Sequence, residues 1–285
     1  MVKMVKISKP NITMQEVFAA CTENMHAANK KKYALCLDEM VLAIEDYEEK
    51  MEQGTPHEVA LCSVVGGLPY VEVEKLYKDK LAKLKQPARK YYDQIIDGAP
   101  RGICPYCGQR IVSTLDHYFS KAHYVSLVIA PSNLIPACAD CNKNKLDAIF
   151  AKEECTLLNP YYEDLDQFVW LKASLCEDIQ SEYLTMSFFV DPYGKYDLMM
   201  RKRLEYQFIT LNLDKLYRSH AAEELIGIQS RCLRIYKAGG DTAVKSSIYE
   251  FIQDNEFRPN SWQSAMYRAL DSEWLYNSWL PNKAK

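Results

Sequence analysis

Cys104-Pro105-Tyr106-Cys107, Leu115-Asp116-His117-Tyr118-Phe119-Ser120-Lys121, Pro131-Ser132-Asn133-Leu134-Ile135-Pro136 and Cys138-Ala139-Asp140-Cys141-Asn142-Lys143-Asn144-Lys145 follow one another within a single stretch of the chain. A C-x2-C turn aims two thiolates at one cation while the backbone curls around them. Two such turns, separated here by thirty residues, complete a closed, tetrahedral, four-thiolate zinc site. Gly108 directly follows the first pair, where such a knuckle often needs positive φ. A dithiol redox reading of Cys104 and Cys107 needs a strand before the motif and an amphipathic helix after it. Gly-Ala-Pro-Arg-Gly-Ile precedes it and Gly-Gln-Arg-Ile-Val-Ser-Thr follows, a turn and a short strand, and the second pair would be left without a purpose.

A zinc ribbon that only scaffolds does not need Asp116 beside His117. An imidazole titrates nearest neutrality and can take a proton from water. A neighbouring carboxylate suits a hard cation such as Mg²⁺, which stabilises charge building on a leaving oxygen. In order, spacing and residue type, the pattern C-x2-C … L-D-H-Y … N-L-I-P-x-C-x-x-C-N-x-x-K, from about Cys104 to Lys145, resembles the HNH endonuclease family with its ββα-metal fold. The resemblance implies that a β-hairpin presents Asp116 and His117 and that a helix begins at the second knuckle. It also implies His117 as general base for in-line attack on a phosphodiester and Asp116 as ligand of catalytic Mg²⁺ or Mn²⁺. Asn133 would be the central Asn that holds the His117 loop, and Cys104, Cys107, Cys138 and Cys141 would bind structural zinc. Where the family usually places its last histidine this chain has Asn142, whose amide oxygen is the expected second ligand of the catalytic metal. His123 is read as a loop residue.

The surroundings set the frame. The chain has 285 residues, 48% apolar and 12% aromatic, enough to bury a core of one or two domains. The net charge of −3 excludes a uniformly basic nucleic-acid coat, yet it is unevenly spread: −3 over residues 1–70, +5 over 71–152 and −5 over 153–285. Met1 to Pro10 shows no apolar run of a signal peptide, and no stretch approaches the roughly 18 apolar residues of a membrane span. The expectation is a cytoplasmic protein without a membrane partner, whose cysteines are thiols or metal ligands. Cys21, Cys36, Cys62, Cys155, Cys176 and Cys232 show no paired spacing, and Cys36 and Cys232 fall in apolar helical patterns as small core residues.

Outside the middle, helical periodicity dominates. Leu37, Met40, Val41, Ile44, Tyr47 and Met51 share a face that closes at Gly54 and Pro56. Val73, Leu76, Leu81 and Leu84 predict a helix up to Pro87. Its lysines Lys75, Lys78, Lys80, Lys83 and Lys85 are either a solvated face or phosphate ligands. Leu213 to Ile235 predicts a long helix ending at Gly239-Gly240, followed by one with Val244, Ile248, Phe251 and Ile252. Ser261 can cap a helix carrying Trp262, Met266, Ala269 and Leu270. Leu184, Met186, Phe188 and Val190 alternate as a strand up to the turn Asp191-Pro192-Tyr193-Gly194. The expected fold is mainly α with a small α+β insert: a helical region over 1–97, an HNH core over 98–165, and a mainly helical, partner-binding region over 166–285.

More loosely, Asn159-Pro160-Tyr161-Tyr162-Glu163-Asp164, Leu211-Asn212-Leu213-Asp214-Lys215-Leu216-Tyr217 and Asn260-Ser261-Trp262 are similar in layout to the HNH subunits of Septu-type and retron-associated anti-phage systems. That likeness implies acidic helical flanks that bind protein rather than DNA, with an ABC-like ATPase subunit as partner; the HNH resemblance implies a DNA target, with RNA or tRNA open. The alternative from another class is a catalytically inactive zinc module that binds nucleic acid or protein.

Overall fold

The computed structural model describes residues 6–147, 149–177, 183–254 and 258–285. They form two compact units, one running to Asp164 and the other from Leu165 to Lys285. The architecture is mainly α with small antiparallel two-stranded sheets. Among the described residues no helix is long and apolar enough to cross a membrane.

The first unit begins with α1 (Met14–Thr22), started by a capping box. The Glu16 amide donates to Thr13 Oγ1 at 3.2 Å and the Thr13 amide to the Glu16 carboxylate at 2.7 Å, so two otherwise orphaned donors are satisfied. After α2 (Ala27–Ala34), α3 (Leu37–Gln53) buries Met40, Tyr47 and Met51 on one face and ends at Gly54, as its periodicity predicts. Tyr47 connects this helix to the candidate site. Its hydroxyl donates to the Ser132 carbonyl at 2.9 Å, and its ring meets Phe119 edge-on with centroids 5.5 Å apart. The short strands β1 (Val64–Val65) and β2 (Leu68–Pro69) lead into α4 (Tyr70–Leu76), which continues as a π-turn over Tyr77–Leu81.

The predicted apolar face stops at Leu81: Leu84 is 68% exposed and lies beyond the helix. Widening the last turn keeps Leu76 and Leu81 buried, whereas a uniform α-helix would carry the face on to Leu84. Next, α5 (Arg89–Asp97) packs on the hairpin of β3 (Thr114–His117) and β4 (Leu134–Ala137), and α6 (Ala139–Lys145) packs on β3. Tyr118, Phe119, Tyr124 and Phe150 form an aromatic core beside the hairpin. The run at 159–164 belongs to this unit. The Tyr161 hydroxyl donates to the Leu134 carbonyl at 2.8 Å, and Asn159 Nδ2 donates to the Tyr47 hydroxyl at 3.3 Å.

In the second unit β5 (Leu171–Glu177) pairs antiparallel with β6 (Leu184–Val190). Alternate residues of β6 (Leu184, Met186, Phe188 and Val190) are buried, as read from sequence, and the helices over Leu213–Asp254 and Trp262–Leu270 cover the sheet. Then α7 (Leu198–Thr210) precedes α8 (Leu213–Asp254), which is two helices joined at Gly240. The Asp214 carboxylate accepts the Phe188 amide at 2.8 Å and Gln229 Oε1 accepts the Leu184 amide at 3.1 Å. Asn260 is buried at the head of α9 (Trp262–Leu270). It accepts the Trp170 and Leu171 amides at 2.8 and 3.2 Å and donates to the Leu165 and Phe168 carbonyls at 2.9 Å each. Ser261 caps α9 through the Ser264 amide at 3.1 Å.

Gly240 has φ 70 and ψ −167, a region open in practice only to glycine. A Cβ built there meets nothing within 4 Å, so Gly240→Ala isolates backbone strain and should cost about 1–3 kcal/mol. Gly227, inside α8 with equally open space, lacks positive φ, and Gly227→Ala should stabilise by about 0.5–1 kcal/mol. Urea unfolding of the two variants reads the opposite signs.

Candidate active site and metal centre

The two knuckles meet. In the first, the Gly108 amide donates to the Cys104 carbonyl at 2.8 Å, and Gly108 has the expected positive φ of 62°. In the second, Cys138 is the N-cap of α6 and its sulfur accepts the Cys141 amide at 3.4 Å. An ion pair of 2.9 Å between Arg110 and Asp140 ties one knuckle to the other. The sulfurs of Cys104, Cys107, Cys138 and Cys141 all lie within 4.8 Å of one another, and all four residues are buried. A zinc tetrahedron with Zn–S near 2.3 Å has sulfur–sulfur edges of about 3.8 Å, so this set can hold a zinc ion with small adjustments. Hydrogen bonding among the four sulfurs moves their pKa values in opposite directions: those of Cys107 and Cys138 are lowered, each chiefly by Cys104, and those of Cys104 and Cys141 are raised. No disulfide joins any of the nine described cysteines, and Cys36 and Cys232 are buried as expected. The side chain of Cys176 lies outside the described residues.

The hairpin sets Asp116 opposite Ile135 and His117 opposite Leu134, with His117 as the last residue of β3. His117 is 8% exposed, and its Nε2 lies 2.9 Å from the Val128 carbonyl oxygen. That oxygen can only accept, so Nε2 carries the proton and Nδ1 keeps its lone pair. Burial pushes the imidazole pKa down to about 3; the bond to Val128 opposes this, and the nearby Lys121 and Lys145 ammonium groups add to it. The neutral form therefore prevails at neutral pH. The Tyr77 ring packs edge-on against the imidazole, centroids 4.5 Å apart.

Asn133 is fully buried and clamps the segment after His117. Its Oδ1 accepts the Phe119 amide at 2.7 Å, and its Nδ2 donates to the Phe119 and Leu127 carbonyls at 3.1 Å each. The Tyr118 amide donates to the Asn133 carbonyl at 2.8 Å, which extends the hairpin past His117.

Asp116 is 2% exposed and bonded on both oxygens. Tyr106, inside the first knuckle, donates to Oδ2 at 2.9 Å, and Lys145, at the end of α6, donates to Oδ1 at 3.2 Å. The Lys145 ammonium also donates to the His117 carbonyl. Asn142 is half-buried on α6, three residues before Lys145 and so on the same helix face; its side chain makes no hydrogen bond among the described residues. The helix that follows the second knuckle thus reaches Asp116 through Lys145, with Asn142 one turn earlier. Asp116 and Asn142 offer hard oxygens of the kind Mg²⁺ prefers, although Oδ1 must exchange the ammonium for such an ion. Lys145, Tyr106 and Tyr77 were given no role by sequence reasoning. Lys145 closes the quoted motif and Tyr106 sits inside it, but Tyr77 lies outside any recognisable pattern.

Residues 104–147 match the HNH endonuclease family. Over most of its length the chain is similar to Protein ea31 of Escherichia phage lambda. The two are 26% identical over 298 residues, which takes in 94% of this chain and 97% of that one. No solved structure matches the chain. The HNH segment thus coincides with the hairpin, the helix α6 and both knuckles, and the N-terminal helices supply Tyr47 and Tyr77 to it from outside.

Two measurements follow from this geometry. The chain should carry zinc near one equivalent, and Cys138→Ser should lose it, as read by metal analysis of the purified protein. Lys145→Met should cost about 3–5 kcal/mol in urea unfolding, because it strands the Asp116 charge in the interior. Adding Asp116→Asn to that variant should recover part of the loss. A loss below about 1 kcal/mol would show that the ion pair is not structurally coupled in this way.

Proposed function

We propose that this protein is a metal-dependent HNH endonuclease that hydrolyses phosphodiester bonds in DNA. The observation that carries the reading is the placement of His117. Its Nε2 is fixed by Val128, which leaves the lone pair on Nδ1, and it lies at the end of β3 next to Asp116, on a hairpin whose second strand leads into the cysteine knuckle that starts α6. In this reading Nδ1 of His117 takes the proton of the attacking water. The negative phosphodiester raises the proton affinity of the imidazole, bringing it closer to the value that suits a base. Asn133 keeps the loop from Phe119 to Leu127 fixed, so the water and the imidazole hold their alignment. Asp116 and Asn142 would hold Mg²⁺ or Mn²⁺, and Cys104, Cys107, Cys138 and Cys141 would hold structural zinc. The divalent ion, when bound, stabilises the charge that develops on the leaving oxygen.

Thiol ligands free of disulfides agree with a reducing, cytoplasmic setting. The acidic balance of residues 153–285 and the short runs resembling Septu-type subunits support an anti-phage role with an ATPase partner that binds the C-terminal unit.

One observation favours a second reading, a zinc module without turnover: Asp116 is already neutralised by Lys145 inside the protein. A plasmid-nicking assay with Mg²⁺ or Mn²⁺ separates the two. The wild type should nick, and His117→Ala should lower the rate by about 10²–10⁴-fold. Equal cutting by the two proteins would remove His117 as the base. A wild type that binds plasmid DNA and leaves it intact would favour the second reading.

A further inference from the structure

The basic excess of the middle third does not reside in the HNH segment. Residues 104–147 contain Arg110, Lys121, Lys143 and Lys145 against Asp116, Asp140 and Asp147, a net of +1. Residues 78–90 contain Lys78, Lys80, Lys83, Lys85, Arg89 and Lys90 against Asp79 alone, a net of +5. These thirteen residues account for the whole excess of residues 71–152.

Pairing sharpens the contrast. Neighbouring cations are taken: Lys75 by Glu72 at 2.9 Å, Lys121 by Glu74 at 2.6 Å and Arg89 by Asp93 at 2.8 Å. Among the described residues Lys78, Lys80, Lys83, Lys85 and Lys90 form no ion pair, and all but the half-buried Lys80 are exposed. Lys85 holds φ 64, a left-handed conformation that costs a lysine on the order of 1–2 kcal/mol. Both ends of the segment are anchored on the hairpin that carries Asp116 and His117. At the start Tyr77 packs on the His117 ring; at the end α5 packs on β3 and β4. From Ala82 to Ala88 the chain runs through bends and turns between the π-turn and α5, with no regular element of its own.

We propose that residues 78–90 are the DNA-backbone track of this protein, with Lys78, Lys83, Lys85 and Lys90 contacting successive phosphates and delivering one of them to His117. The proposal rests on the nuclease reading for what happens at His117, but binding by the track does not require cutting. A near-neutral HNH segment has little long-range attraction for a polyanion, so affinity and its salt dependence belong to the track.

The test is fluorescence anisotropy of the full chain on a labelled DNA duplex across a salt series, with no divalent cation added. Lys83→Gln/Lys85→Gln should flatten the slope of log affinity against log salt by about 1.8, and weaken binding roughly 60-fold at 0.1 M salt. Lys30→Gln/Lys31→Gln removes the same charge from exposed positions on α2 and should leave the slope and affinity near wild type. Circular dichroism melts confirm that both variants fold. Equal effects of the two variants, no effect of the first, or no duplex binding by wild type would overturn the track. Tighter track-dependent binding to an RNA duplex of the same sequence would overturn DNA as its ligand. Intact binding without nicking in Mg²⁺ would count against the nuclease reading alone.

Discussion

Four cysteine sulfurs brought within 4.8 Å of one another constrain everything that surrounds the candidate site. One pair belongs to a loop that opens into β3; the other caps α6 as β4 ends. Joining them ties the hairpin and the helix together at one end, beside the aromatic core of Tyr118, Phe119, Tyr124 and Phe150. Asp116, on the strand, then meets Tyr106 from the first knuckle and Lys145 from the helix behind the second. A buried carboxylate is tolerated only when its charge is answered, and here both answers arrive on elements that the cysteines position.

The N-terminal helices complete what the short HNH segment cannot supply. Tyr47 of α3 reaches the Ser132 carbonyl, next to Asn133, and its ring supports Phe119, whose backbone Asn133 grips. Tyr77 supports His117 from the π-turn. The compact unit ending at Asp164 therefore carries a buried ion pair, Lys145 with Asp116, and, on the segment 78–90, exposed lysines.

Much of this was legible in the sequence, for local reasons. C-x2-C spacing, Ser261 before an apolar period, Gly240 after a helical run and the alternation of Leu184 to Val190 all report on residues close together in the chain. Asp116 beside His117 was legible because the pair is contiguous. What escaped depends on long-range packing. The strand β5 alternates only briefly, with Leu171, Ala173 and Leu175 against Lys172 and Ser174, too short a signal to stand out without its pairing to β6. Lys145 reads as one more basic residue near a helix end until β3 brings Asp116 to it, 29 residues away in sequence. Tyr77, at the start of the π-turn, meets His117, 40 residues further along the chain, and Leu84 lies beyond the turn and outside the core.

In the C-terminal unit, the hydrogen bonds from Leu184 and Phe188 to Gln229 and Asp214 have a consequence for assembly. A two-stranded sheet has only edges, and an exposed edge invites strand addition by another molecule. Here two helix side chains occupy the amide positions of β6 at which an incoming strand would have to dock. The β6 edge is thereby closed to strand addition at Leu184 and Phe188.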